Sequence, residues 1–174
     1  GYAELWDHHF EGETAPSGDL VSHGWRMTWE GASAQPVHEA MTEASHRVNY
    51  YKGQDPSKWA EGLVPETRFK LHDVWPGIDL RVGPRSPGDR ADVPGPGRKE
   101  DWMVQPGADP DQVAIRHEGV TLDVQEDGSI WVQLGETGEA RLGAPYAYQN
   151  VNGALKSVEV SYALEGQVVR FDVG

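Results

Sequence analysis

The chain has 174 residues, and 15 Lys and Arg stand against 28 Asp and Glu, so its formal net charge is −13. This charge argues against nucleic-acid binding, which depends on neutralising phosphates. The absence of cysteine excludes thiol catalysis, disulfides and cysteine-ligated metal sites. The 21 Gly and 12 Pro favour short elements joined by turns over a helical bundle. No run of 18 apolar residues is present, so no membrane-spanning helix is predicted.

The N-terminal half mixes strand and helix signals. Alternating Trp and Met residues predict a strand over 23–29, whereas apolar residues at helical spacing predict a short helix over Pro36–Ser45. Asp55 followed by Pro56 is typical of a capped single turn of helix. Further strands are predicted at 48–51, 67–74 and 78–82.

Residues 83–99 form a Pro/Gly-rich segment that contains four prolines. Nothing in it can fill a core, and proline cannot donate to a strand ladder. The segment is therefore predicted to be an exposed, mobile loop at the widened tip of a hairpin, with strand character resuming at Asp101.

The C-terminal half has period-two alternation broken by turn signals about every ten residues. Asp127-Gly128 is a type I′ hairpin signal, Asn152-Gly153 repeats it, and Gly166-Gln167 separates the last two strand-like runs. This pattern is typical of a meander, sandwich or barrel. We therefore expect a mainly β single module over residues 1–174, an antiparallel sandwich or two packed sheets built from hairpins, with at most one or two short helices.

Four runs in order carry a family resemblance: VNYYKGQDPSKW (48–59), VWPGIDL (74–80), VQPGADP (104–110) and APYAYQ (144–149). Over residues 47–173, the sequence resembles an uncharacterised domain of secreted bacterial proteins. That domain is commonly found upstream of seven-bladed β-propeller-type (SBBP) repeats, or in Bacteroidota surface proteins exported by the type IX system. The family's usual N-terminal motif is only partly kept at Phe10 and Gly12.

The resemblance implies an extracellular or cell-surface location and brings no catalytic residues with it. The start at Gly1 without Met, and the end at Gly174 straight after a strand-like run, suggest a processed or excised module of a longer protein.

Metal-ligand chemistry has two candidates. His8, His9 and Glu11 form the densest cluster of ligand-type side chains, although adjacent strand residues point to opposite faces. The acidic turns at Asp109, Asp111 and 126–129 are candidates for Ca²⁺, although none matches a known calcium loop. The expectation is that these residues are solvated surface and that no cofactor is required.

Exposed aromatic residues provide the alternative function. Trp25 and Trp29 share one face of a predicted strand about 13 Å apart, and Tyr146 and Tyr148 share another. They are candidate ligand-binding residues of a carbohydrate-binding module, or else they pack in the β core.

No hydrolase, phosphate-binding or triad motif is present. The sequence therefore predicts a non-enzymatic structural and interaction module, which acts in assembly, spacing or adhesion at the cell surface. Its expected partners are other modules of the same protein, other cell-surface proteins and glycans, without nucleic acid or membrane insertion.

Overall fold

The computed structural model describes residues 23–85, 97–136 and 138–174. The fold is mainly β, as predicted, and all of the strand pairs described are antiparallel. Two single turns of 3-10 helix, Pro56–Lys58 and Pro110–Gln112, are the helical elements of the described residues. The strands are β1 (Arg26–Trp29), β2 (Val37–Glu43), β3 (Val48–Tyr50), β4 (Ala60–Leu63), β5 (Glu66–Trp75), β6 (Ile78–Pro84), β7 (Arg98–Val104), β8 (Ala114–Glu118), β9 (Thr121–Val124), β10 (Ile130–Gln133), β11 (Glu139–Leu142), β12 (Ala147–Val151), β13 (Ala154–Val158), β14 (Val160–Glu165) and β15 (Val168–Val173).

The described residues divide into two compact units. Unit 1 contains 23–34 together with 109–174, and unit 2 contains 35–108. Unit 2 is therefore an insertion, in chain order, between β1 and β8 of unit 1. The prediction of one module over residues 1–174 did not anticipate this division.

Unit 1 contains three sheets. The largest has the order β1-β8-β15-β14, so the N-terminal strand β1 pairs with β8, which follows the insertion. The second has the order β11-β10-β9, and the third is the two-stranded hairpin β12-β13. Ile130, Val132 and Val169 are among the most buried side chains, as expected where alternate residues of a strand face the core.

Unit 2 contains the four-stranded sheet β2-β5-β6-β7 and the two-stranded sheet β3-β4. The central strand β6 supplies its core, since Ile78 and Leu80 are fully buried and Val82 nearly so. Both neighbours of β6 pair with it antiparallel, and β7 follows it directly as the second arm of a hairpin. Three of the core residues thus lie on the strand with the VWPGIDL motif at its start.

The helix predicted over Pro36–Ser45 is wrong. This segment contains β2, which pairs with β5 and shifts register twice, between Ala40 and Thr42 and between Thr42 and Glu43. All seven residues of β2 are exposed. An exposed edge strand lacks a covered face, and the register shifts break its alternation, so the sequence shows no period of two.

The predicted loop 83–99 is shorter than expected. Gly83 pairs with Lys99, Pro84 with Arg98, and the N–H of Arg85 donates to the carbonyl of Gly97. The hairpin connection predicted here is confirmed by this ladder, and residues 86–96 lie outside the described part of the chain. The turn predicted at Asp55 is confirmed as well: its carboxylate accepts a hydrogen bond from the N–H of Ser57 at 3.1 Å.

Candidate functional site

Trp25 and Trp29, the two tryptophans named as candidates for ligand binding, lie in the core of unit 1. Trp25 and Trp29 are each only 7% exposed. The indole N–H of Trp25 donates to Nδ1 of His117 at 3.0 Å, and the two rings stack 5.5 Å apart. Their burial corresponds to the alternative in which these two residues pack in the β core.

His117 shows how strongly this core excludes water. The side chain is 1% exposed, and burial lowers its pKa from 6.5 to about 4. Since Nδ1 accepts from Trp25, the ring proton of neutral His117 lies on Nε2, which has no hydrogen-bond partner within the described structure. His117 is thus a neutral packing residue at physiological pH.

The other predicted aromatic pair is exposed. Tyr146 immediately precedes β12 and Tyr148 lies within it. Their rings lie 6.4 Å apart at an angle of 18°. Tyr146 is 44% exposed and Tyr148 is 55% exposed. Since residues two apart on a strand point to one side, the two phenol rings form a short, nearly parallel row.

Leu155 extends this row on the neighbouring strand. It pairs with Asn150 across the hairpin, which places it on the same side as Tyr148, and it is 69% exposed. We call Tyr146, Tyr148 and Leu155 the hairpin face. It sits on a two-stranded sheet whose outer strand edges have no partner strand among the described residues. Such a face offers apolar contact area together with backbone hydrogen-bonding groups.

The first group of candidate metal ligands cannot be located in the described residues. His8, His9 and Glu11 lie outside them. No group of three or more His, Cys, Asp or Glu side chains there could hold a metal ion. The acidic turns instead use their carboxylates locally: Asp109 accepts from the N–H of Asp111 at 3.0 Å, and Asp127 accepts from both the N–H and the hydroxyl of Ser129.

A buried charge cluster explains the VWPGIDL motif. Asp79 on β6 is only 6% exposed, pairs with Nζ of Lys70 at 2.8 Å and accepts from the N–H of Asp73 at 2.9 Å. Burial alone would raise the pKa of Asp79, but these bonds and the nearby His72 outweigh it and hold the pKa below its usual value. Asp73 has a φ of 49° within the irregular part of the β5-β6 ladder. The cluster therefore holds a strained bulge in place.

The VNYYKGQDPSKW motif displays a second group of exposed aromatic residues, on unit 2. Tyr51 and Trp59 meet edge to face at 5.2 Å, and the indole N–H of Trp59 donates to the carbonyl of Gly53 at 3.2 Å. Tyr51 is 56% exposed and Trp59 39%. A hydrogen bond from Tyr51 to Glu61 is the main cause that raises the pKa of the Tyr51 phenol. The aromatic residues of this motif therefore form a surface feature with a fixed geometry.

Trp131 is an aromatic residue that the sequence analysis did not select as a candidate site residue. It lies at the centre of the β9–β11 sheet, between Asp123 on one neighbour and Arg141 on the other. Its strand neighbours Ile130 and Val132 are fully buried. Alternation on the strand therefore turns Trp131 to the outer side, a signal that the sequence contains.

Comparison with known proteins places the chain in a family. No curated protein and no solved structure matches it. No helix within the described residues is long and apolar enough to cross a membrane. A family model described as a domain of unknown function matches residues 3–174, nearly the whole sequence. The chain therefore belongs to the DUF7948 family, a family of domains of unknown function.

Proposed function

We propose that this domain is a non-catalytic structural and interaction module of a secreted or cell-surface bacterial protein. It spaces or joins neighbouring modules, or binds another surface protein. The bacterial surface context, with SBBP repeats or type IX export, rests on the resemblance of the four sequence motifs described above.

The observation that carries the proposal is the hairpin face. Tyr146, Tyr148 and Leu155 expose apolar area on one side of a sheet that has two strands within the described residues. Tyrosine is enriched in protein interfaces because it combines a large apolar ring with a polar tip. Two stacked tyrosines lose little rotamer freedom on binding, since each has two main torsions and already contacts the other.

The buried ionisable groups support the same proposal. The carboxylate of Asp79 is occupied by Lys70 and by a backbone N–H, and His117 is enclosed in the core. Asp79 therefore has a role in stability and His117 a role in packing, and both roles are consistent with a scaffold module.

A matched pair of double variants tests the proposal. Tyr148→Ser with Leu155→Ser removes apolar area from the hairpin face, while Gln149→Ser with Lys156→Ser changes a directly opposed pair on the other side of the same hairpin. In the full-length carrier protein, the first variant should reduce surface assembly or attachment, and the second should leave it unchanged. Purified domains are compared by thermal unfolding to verify that both variants fold.

Photo-crosslinking gives an independent readout. A benzophenone amino acid at position 148 should crosslink to a neighbouring module or surface protein, whereas the same group at position 149 should not. Equal crosslinking from both positions would contradict a role for the hairpin face. Loss of a soluble catalytic activity on deleting the domain would contradict the non-catalytic assignment itself.

A further inference from the structure

The β9–β11 sheet of unit 1 has two chemically different sides. Ile130 and Val132 of the central strand are fully buried on one side. On the other side, Trp131 lies directly between Asp123 of β9 and Arg141 of β11. The outer side thus presents one large, half-buried aromatic ring within a polar surround.

Trp131 helps to form a shallow, open depression. Its volume is about 460 Å³, within the size range of small-molecule sites. The residues that line it, other than Trp131 itself, are all able to form hydrogen bonds; they are Gln125, Glu126, Asp127 and Arg141. The depression is therefore suited to a ligand that has one apolar face and many hydroxyl groups at its edge.

The polar side chains around the depression are held by one another. One carboxylate oxygen of Asp127 accepts hydrogen bonds from the N–H and the hydroxyl of Ser129 at 3.0 and 2.6 Å. The other oxygen accepts a hydrogen bond from Arg141. These hydrogen bonds from Ser129 are the main reason that the pKa of Asp127 is lowered. Gln125 donates to Asp123 through its amide nitrogen at 2.9 Å. A network fixed before binding reduces the entropy lost when a ligand is bound.

One donor in this network is unsatisfied. The Nε atom of Arg141 is buried and has no hydrogen-bond partner in the part of the chain described. A buried N–H without an acceptor is unfavourable, so Arg141 has donor capacity beyond its hydrogen bond to Asp127.

The charge of the surroundings restricts the ligand. Asp123, Glu126 and Asp127 outnumber Arg141, and the whole chain has a net charge of −13. Phosphorylated, sulfated or uronic-acid-rich ligands would therefore be repelled. Neutral sugar hydroxyls, in contrast, both donate to carboxylates and accept from a guanidinium or amide.

We propose that the outer side of the β9–β11 sheet binds a neutral saccharide, with one pyranose ring stacked on the indole of Trp131. The C–H face of the sugar packs against the aromatic ring, and its hydroxyls bond to the side chains of Gln125, Glu126 and Arg141. This site lies on a different sheet from the hairpin face, and it does not depend on the proposed function.

The test begins with an array of neutral and acidic oligosaccharides, followed by titration of the ¹⁵N-labelled domain with the neutral probes cellohexaose, xylohexaose and mannohexaose. We expect at least one neutral glycan to bind, acidic glycans to fail, and the indole N–H signal of Trp131 to shift. Trp131→Ala should weaken binding about tenfold or more, and Trp131→Phe should weaken it less because an aromatic face remains.

Trp59→Ala serves as the control, because it removes an exposed tryptophan from unit 2. It should leave the affinity unchanged. The proposal is overturned if no neutral glycan binds at millimolar concentration, if Trp131→Ala binds as well as the wild type, or if the shifts centre on Trp59. Trp131→Phe retains an aromatic side chain on the sheet, so its affinity is informative even if Trp131→Ala fails to fold.

Discussion

Acid should destabilise this domain through His117, and the magnitude follows from its burial. The pKa of the ring falls from 6.5 in the unfolded chain to about 4 in the fold, where burial disfavours the charged form. Above pH 6.5 the ring is mostly neutral in both the folded and the unfolded chain, so protonation of His117 costs almost no stability there. Stability is then lost as the pH falls from 6.5 towards 4, because the unfolded chain binds the proton more tightly. The full loss is about 3 kcal/mol, of which about 2 kcal/mol occurs between pH 7 and pH 5.

The matched variant is His117→Asn, whose side-chain oxygen can still accept from the indole N–H of Trp25. This variant has a constant packing cost, but it has no ring to titrate. Urea unfolding followed by tryptophan fluorescence at pH 7, 6 and 5 gives the free energy of unfolding of both proteins. The difference between them should change by about 2 kcal/mol between pH 7 and pH 5, because the other titrating groups are common to both.

Parallel curves for the two proteins would refute this reasoning. They would mean that His117 titrates with nearly the same pKa in the folded and unfolded states, which is incompatible with a neutral ring enclosed in the core. A direct NMR titration of the His117 ring then identifies the pKa in the folded protein, and a value near 6.5 would refute the argument in the same way.

Four further substitutions test the core and the turns by chemical denaturation. Asp79→Asn should cost about 3 kcal/mol of stability because it leaves Lys70 without its buried partner. This loss of stability should shrink as the pH falls through the lowered pKa of Asp79. Adding Lys70→Met to Asp79→Asn should recover part of the lost stability. Gly119→Ala and Gly153→Ala both place a Cβ at positive φ, which costs about 1 kcal/mol of stability each. Only at Gly119 would the new Cβ lie 2.5 Å from a backbone oxygen, so this variant should lose more stability. Equal losses of stability would contradict the close approach. Ile130→Ala should cost roughly 2–5 kcal/mol, and a loss below 1 kcal/mol would contradict its full burial.

The two-residue signal for a type I′ turn predicted the turn correctly where the connection between the strands has just two residues. Asn152 and Gly153 both have positive φ, at 54° and 84°, as the two central positions of a type I′ turn require. At Asp127-Gly128 only Gly128, at 81°, has positive φ, so the type I′ prediction is wrong there. The connection between β9 and β10 spans five residues, and the N–H of Gly128 closes a turn onto the carbonyl of Gln125 at 2.9 Å. A dipeptide alone does not fix the length of the loop around it.

The exposed edge strand β2 was the element whose type was predicted wrongly. The period of two arises because one side of a strand is buried and the other is wet, and β2 has both sides exposed. Its register shifts between Ala40 and Glu43 added a spacing that resembled a helix. By contrast, β10 and β15 have buried residues in alternating or paired positions and were recognised from the sequence.

The sequence shows which residues share a side of a strand, but it does not show which side another layer covers. Trp25 and Trp131 illustrate the consequence: Trp25 immediately precedes β1 and continues its alternation, and Trp131 lies within β10. The partners of Trp25 in the alternation are the buried Met27 and Trp29, so all three point to the core. Trp131 alternates with Ile130 and Val132, which are wholly aliphatic and fully buried, so the tryptophan points outward. Where one parity of a strand is aliphatic, an aromatic residue of the other parity is the better candidate for ligand contact, because packing the core does not require it.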